Sequence, residues 1–259
     1  MIVHVLILWG VFGAAAALAV VLHRRRTTDE APEYQSALTF VGASYGLLLG
    51  LLVVFAVGHI TDVQNQSQQE ASSLVSLYDT TGVYPSQTRD HIRHDLVCYM
   101  RSIVQDEWPS MERGSPLEAP RTLGFGDQVR ADLRTLPTSN PAQGSAYGRA
   151  ATLVSDASGS RQRLLFFTEP RIPVALWVVI YVGAFVVFLL LAGHYATRPV
   201  GRISALATVA VLMTVVVAVL AMLDQPYGLG VHAQPDQMRQ AINLVLVGEK
   251  NPAILQACR

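Results

Sequence analysis

The sequence predicts an all-α integral membrane protein with four transmembrane helices and a helical soluble domain between spans two and three. Three observations carry this. Four apolar runs, Ile2–Leu22, Leu38–Ile60, Pro173–Ala192 and Ile203–Leu223, each come close to the roughly 20 residues that take a helix across a ~30 Å hydrocarbon core. None has Asp, Glu, Lys or Arg in its interior, in a chain of 259 residues that is 51% apolar and only 15% charged. Between runs two and three the apolar residues recur at helical spacing, and no alternating stretch is long enough for a sheet. The expected organisation is 1–60 for the first two spans, 61–172 for the soluble domain, 173–223 for the last two spans, and 224–259 for a tail with a short helix.

The first run lacks a basic segment before it, and Arg24-Arg25-Arg26 follows it. This is the charge order of a retained span with its N-terminus outside, not of a cleaved signal peptide. The short loops His23–Ala37 and Gly193–Arg202 carry arginines, and Lys and Arg in short loops mark the cytoplasmic side. The expected location is therefore a bacterial cytoplasmic membrane, with the soluble domain and the C-terminus outside the cytoplasm. Cys98 and Cys258 then share an oxidising side, where a disulfide is permitted.

Span two contains Gly42-Ala43-Ser44-Tyr45-Gly46, a match to the G-x-S-x-G nucleophile elbow. An elbow needs a strand, a sharp turn and a helix, and Ser44 sits inside an apolar run without a credible base. The alternative is a small-residue stripe. Gly42, Gly46, Gly50 and Gly58 share one helical face, interrupted only by Val54, and small residues let helix backbones approach closely in lipid. The partner is either a neighbouring span or another subunit. In the second case Leu47, Leu51 and Val54 become candidates for an apolar pore constriction.

The second span is expected to continue as a helix past Ile60, with Val63, Ala71, Leu74, Leu77 and Tyr78 on its buried face. Tyr84-Pro85-Ser86 marks a stop and a new N-cap. The next helix buries Ile92, Leu96, Tyr99, Met100, Ile103 and Val104 and is expected to end at Trp108-Pro109, followed by loop to Gly126. A short helix then presents Val129, Leu133 and Leu136. Asn140-Pro141 reads as an N-cap with proline in the first turn of a last helix.

Opposite the apolar stripe lie His91, His94, Asp95 and Cys98, at i, i+3, i+4 and i+7. All four side-chain types bind transition metals, so this face is a candidate metal site as well as a candidate solvated face. At the end of span four, Asp224 is disfavoured by the helix dipole and is expected to be held by a turn or by an arginine such as Arg171.

Several classes are excluded. The net charge is zero and no basic run exceeds three residues, so nucleic acid is not an expected partner. The spans carry no carboxylate or base of the kind used by proton-coupled pumps. No nucleotide-binding loop, HExxH or paired CxxC is present. Neither an enzyme nor a bound cofactor is expected.

The chain resembles a bacterial membrane family commonly labelled bestrophin-like. The resemblance rests on Tyr45 and Gly50, then Glu70-Ala71, Leu77-Tyr78, Pro85, Tyr99 and Glu107-Trp108-Pro109 with Met111. It ends in Leu223-Asp224-Gln225-Pro226-Tyr227 and Pro235. Tyr227 stands where phenylalanine is usual, and Gly228-Leu229 where Ser-Gly is usual. The resemblance implies structural roles for Glu70, Glu107, Trp108, Asp224 and Pro226. It also implies kinship with bestrophins, ring-shaped anion channels with four spans and helical soluble parts. Those keep the soluble part in the cytoplasm, opposite to the side the arginines give here. The expected function is an oligomeric anion channel, with the bilayer, further copies of the chain and inorganic anions as partners. The alternative is a receptor or scaffold whose outer domain binds a ligand or envelope protein.

Overall fold

A computed structural model describes residues 2–25, 31–113, 115, 117–167, 172–194, 199–224, 227, 234–247 and 249–258. The described residues are almost entirely helical and contain no strand. The chain divides into two compact units, Met1–His59 with Pro170–Gln225, and Ile60–Glu169 with Pro226–Arg259.

The first unit holds helix α1 (Ile2–Arg25), the first part of α2 (Ala31–Thr80), α7 (Val174–His194) and α8 (Pro199–Leu223). All four are long and apolar enough to span a membrane. Helix α1 packs on α7 and α8. Aromatic residues one helical face apart make the seam: His4 stacks on Trp177 at 4.0 Å between centroids, and Phe12 on Phe188 at 4.6 Å. His4 Nδ1 also lies 2.7 Å from the Tyr181 hydroxyl. Helix α2 joins through Tyr45, Leu49, Leu52 and Ala56, which are buried at spacings of four and three. The Tyr45 hydroxyl donates to Ile180 O at 2.7 Å, so its one polar atom is satisfied in an apolar setting.

Helix α2 has 50 residues and is about 75 Å long at 1.5 Å per residue. That is more than twice a ~30 Å hydrocarbon core, so only its apolar part, Leu38–Ile60, is needed to cross one. The remainder belongs to the second unit, with α3 (Ser86–Ser102), α4 (Trp108–Glu112), α5 (Pro120–Arg134), α6 (Pro141–Phe166), α9 (Asp236–Leu246) and α10 (Pro252–Leu255).

The core of the second unit is built on Leu74 and Leu77 of α2, Ile92, Leu96 and Met100 of α3, Val129 and Leu133 of α5, Ala150 and Ala157 of α6, and Met238 of α9. Burying each large aliphatic side chain fully contributes about 1.5–3 kcal/mol over leaving it in water. A smaller cluster gathers Val63, Trp108, Met111, Leu164 and Tyr227.

Three local expectations need correction. Ser86 is the first residue of α3 rather than its cap; Pro85 takes the cap position and no side chain closes it. The helix does not end at Trp108-Pro109. It passes without a break through one π-helical turn, Ile103–Glu107, into α4, and Pro109 falls directly after that wide turn, where the shifted hydrogen-bond ladder accommodates a residue with no N–H. The stretch from Pro109 to Gly126 is not all loop, since α5 starts at Pro120. Gly124 and Gly126 lie inside α5, and a Cβ on Gly126 would press to 3.3 Å from the Tyr99 ring. The glycine there serves close helix approach instead of a turn. Asn140 caps α6 as expected, accepting from the Gln143 amide at 2.9 Å.

Candidate functional sites

The face of α2 that does not pack on its own chain carries the glycine stripe. A Cβ added at Gly42, Gly46, Gly50 or Gly58 meets no atom of the described residues within 4 Å. Leu47, Leu51 and Val54 lie on the same side and are 67%, 63% and 69% exposed. The stripe therefore has no neighbour among the described spans of its own chain. Close packing inside the chain uses a different glycine: a Cβ at Gly183 of α7 would collide with the Tyr45 ring. Ser44 lies mid-helix in α2 and borders an apolar cavity of about 420 Å³ formed with Leu47, Leu48, Leu51, Leu52, Phe55 and Leu176. An unbroken helix offers no elbow to hold a serine nucleophile.

In the second unit a buried ionic centre forms around Arg161 of α6. Arg161 Nη2 lies 2.8 Å from Glu70 Oε1 of α2, and Nη1 lies 3.9 Å from Glu107 Oε1. All three side chains are at most 3% exposed. Glu107 also accepts from the Ala119 amide at 2.7 Å, at the start of α5 where a carboxylate is favoured by the helix dipole. Two carboxyls share one guanidinium, so both cannot be ionised without a surplus buried negative charge. Burial, only partly offset by Arg161, raises Glu70 to about 7. Burial raises Glu107 as well. The two carboxylates hold Arg161 protonated against its own desolvation. Trp108 packs edge-on against Tyr227, whose hydroxyl donates to Leu164 O at 3.1 Å.

Glu70, Glu107 and Trp108 came from the resemblance, whereas Arg161 did not. Its signal was its register: it falls on the Ala150, Ala157 and Leu164 stripe of α6, where a solvated arginine has no place. Asp224 accepts from the Ile172 amide at 2.8 Å and is buried, which is the turn-holding role. Its other suggested partner, Arg171, lies outside the described residues, as does Pro226.

The polar face of α3 does not act as one four-ligand set. Cys98 is joined to Cys258 in a disulfide, with the Cα atoms 5.4 Å apart. A disulfide sulfur offers no thiolate, so Cys98 leaves the metal set. His94 also leaves it. Its Nδ1 lies 3.4 Å from Ile254 O and its Nε2 3.6 Å from the Cys98 sulfur. His91 and Asp95 remain and are met by Asp132 of α5, which no spacing argument on α3 could supply. Burial, with help from neighbouring Asp95, raises Asp132 to about 6.

The disulfide is one of several ties between the tail and α3. Asn251 Nδ2 donates to Asp90 at 2.7 Å, the Tyr78 hydroxyl donates to Glu249 at 3.0 Å, and Arg121 Nη2 donates to Cys258 O at 3.0 Å. Arg93 stacks over the Tyr78 ring at 4.3 Å.

Four apolar membrane helices joined to a helical second unit define a multi-pass helical membrane protein. The family model described as the Bestrophin-like domain matches residues 4–238, nearly the whole chain, and the chain belongs to that family. Its fold is also that of solved bacterial bestrophins. Crystal structures of two single-substitution variants of a bestrophin homologue from Klebsiella pneumoniae align at TM-scores of 0.64 and 0.67. Identities are 12% and 11%; the alignments cover 94% and 95% of this chain and 99% and 97% of theirs. A third variant aligns at TM-score 0.67 and 10% identity, covering 96% of this chain and 99% of its own. No curated protein matches the chain in sequence.

Proposed function

We propose that the protein is an oligomeric anion channel in which the unpacked face of α2 meets neighbouring subunits around a central axis. The observation that carries this is the stripe Gly42, Gly46, Gly50 and Gly58, which no described part of its own chain covers. The membrane helices also expose Val178 and Val182 of α7 and Val211 and Val215 of α8, as lipid-facing helices do. Helix α2 differs by combining an exposed apolar face with a row of glycines, which suits close approach of another helix better than contact with fluid lipid. Leu47, Leu51 and Val54 would then form an apolar constriction that gates by wetting. The bestrophin resemblance supplies the anion as the permeant species.

We further propose that the soluble domain and C-terminus lie outside the cytoplasm. The Cys98–Cys258 disulfide supports this orientation, because such bonds persist in oxidising compartments and are reduced in the cytosol. It agrees with arginine-bearing short loops on the inner side.

Purified protein in liposomes tests the reading. Chloride flux above that of empty vesicles, from particles containing several chains, is the expected result. Absence of flux across a range of pH and calcium, or a monomeric particle, counts against it. Labelling of single cysteines placed at 24–26 from outside intact cells would reverse the orientation.

A further inference from the structure

We propose that His91, Asp95 and Asp132 form a binding site for one divalent transition-metal ion, with zinc the best match to the ligands. The site is independent of whether the chain conducts. The ligand atoms converge from two helices. His91 Nε2 lies 3.7 Å from Asp95 Oδ2 and 3.6 Å from Asp132 Oδ2, and one ligand atom from each residue falls within 4.8 Å of the others. Ligands held about 2.0–2.1 Å from a tetrahedral zinc are roughly 3.3 Å apart. Small movements of three side-chain ends close the set around an ion. The most exposed of the three, His91, is also the most free to move, at 58% exposure.

A second observation points to a cation independently of the spacing. The Asp95 side chain is only 10% exposed, and its Oδ2 receives no hydrogen bond. Asp132 Oδ2 is likewise buried without a donor. Besides the contact the two carboxyls make with each other, the group facing these oxygens is the His91 nitrogen at 3.7 and 3.6 Å, longer than a good hydrogen bond. Here two such oxygens face the same imidazole nitrogen. A metal ion between them supplies the missing positive charge to both. A cavity of about 450 Å³ lies beside Asp95, lined also by His94, Phe125, Gln128, Gln256 and Ala257.

The donor chemistry selects the class of metal. One imidazole with two carboxylates suits zinc and its first-row neighbours. Calcium takes six to eight oxygens and makes poor use of a ring nitrogen. With three protein ligands and an exposed histidine, the fourth position stays open to water. Because Asp95 and His91 come from α3 and Asp132 from α5, an ion would also clamp two helices of the core.

The test uses the full chain in detergent, stripped with a chelator and titrated with zinc, calcium and magnesium by calorimetry, with retained metal measured after desalting. One zinc per chain is expected. His91→Ala and Asp132→Asn should each weaken zinc binding at least tenfold while remaining folded in chelator. His94→Ala should bind zinc as the parent does. Equal zinc binding by the parent and both ligand variants would overturn the site. So would no zinc retained by the parent, or calcium bound in preference to zinc.

Discussion

Arg161 Nη2 of α6 stands 2.8 Å from Glu70 Oε1 of α2, with both side chains withdrawn from water. Desolvating such a pair costs several kcal/mol per ion, and their attraction offsets this only while both remain. Glu107 sits on the other side of the guanidinium, so removing the arginine strands two carboxyls. Arg161→Met should therefore destabilise the protein by roughly 3–5 kcal/mol at pH 8, where Glu70 is ionised. Chemical denaturation followed by tryptophan fluorescence checks this. Adding Glu70→Gln to Arg161→Met should recover part of the loss, and a change below about 1 kcal/mol in the single variant would show that the pair does not hold α2 to α6.

The same centre predicts a pH dependence whose sign is fixed by Glu70. Its carboxyl is raised from 4.5 to about 7 in the folded protein, with burial as the main cause. The folded state therefore holds a proton that the unfolded chain releases. This stabilisation is complete below about pH 4.5 and is lost as pH rises through about 7. The slope from this one group is at most about 1.4 kcal/mol per pH unit. Glu70→Gln mimics the protonated form and should flatten the fall between pH 5 and 7. Parallel stability curves for parent and variant would rule out Glu70 as its source.

Much of this architecture was legible in the sequence, and the misses share a cause. The spans could be read because lipid imposes one requirement, an apolar run long enough to cross it. Asn140 could be read because a cap is local. In sequence, Gly126 and Pro109 read as breakers because their local preference is to break helices. Gly126 is explained by packing, since it lets α5 meet Tyr99, and Pro109 is accommodated directly after the π-helical turn. Arg161 and Asp132 complete their clusters from helices distant in sequence. Only their register hinted at them, since a charge in line with Ala157 and Leu164 must be buried with a partner. The resemblance supplied Glu70 and Glu107 without the cation that explains them.

The disulfide predicts where stability is spent in the tail. It closes a separation of 160 residues onto α3. Losing a long-range bridge commonly costs roughly 2–5 kcal/mol. Cys98→Ser with Cys258→Ser should lie toward the lower end, because membrane spans already restrict the unfolded chain. The effect should be local: faster amide exchange in Pro252–Leu255, with little change in Asp236–Leu246, whose Met238, Ala241 and Val245 are buried in the core. Uniform loss of protection across both helices would mean that the bridge holds α9 as well.

Gly183 and Gly50 offer matched substitutions with opposite expectations. At Gly183 an added Cβ would strike the Tyr45 ring, which is anchored by its hydroxyl on Ile180 O and cannot swing away without losing that bond. Gly183→Ala should destabilise the isolated chain by about 1–3 kcal/mol through overpacking. At Gly50 nothing of the described chain lies near, so even Gly50→Leu should leave monomer stability unchanged or slightly improved by helix propensity. If this face meets another subunit, the same leucine holds the helices apart. The oligomer should then dissociate or the flux should change, as read by native mass spectrometry and by liposome assay. An intact oligomer with parental flux in Gly50→Leu would instead assign the stripe to lipid, and the subunit contact would have to lie on another face.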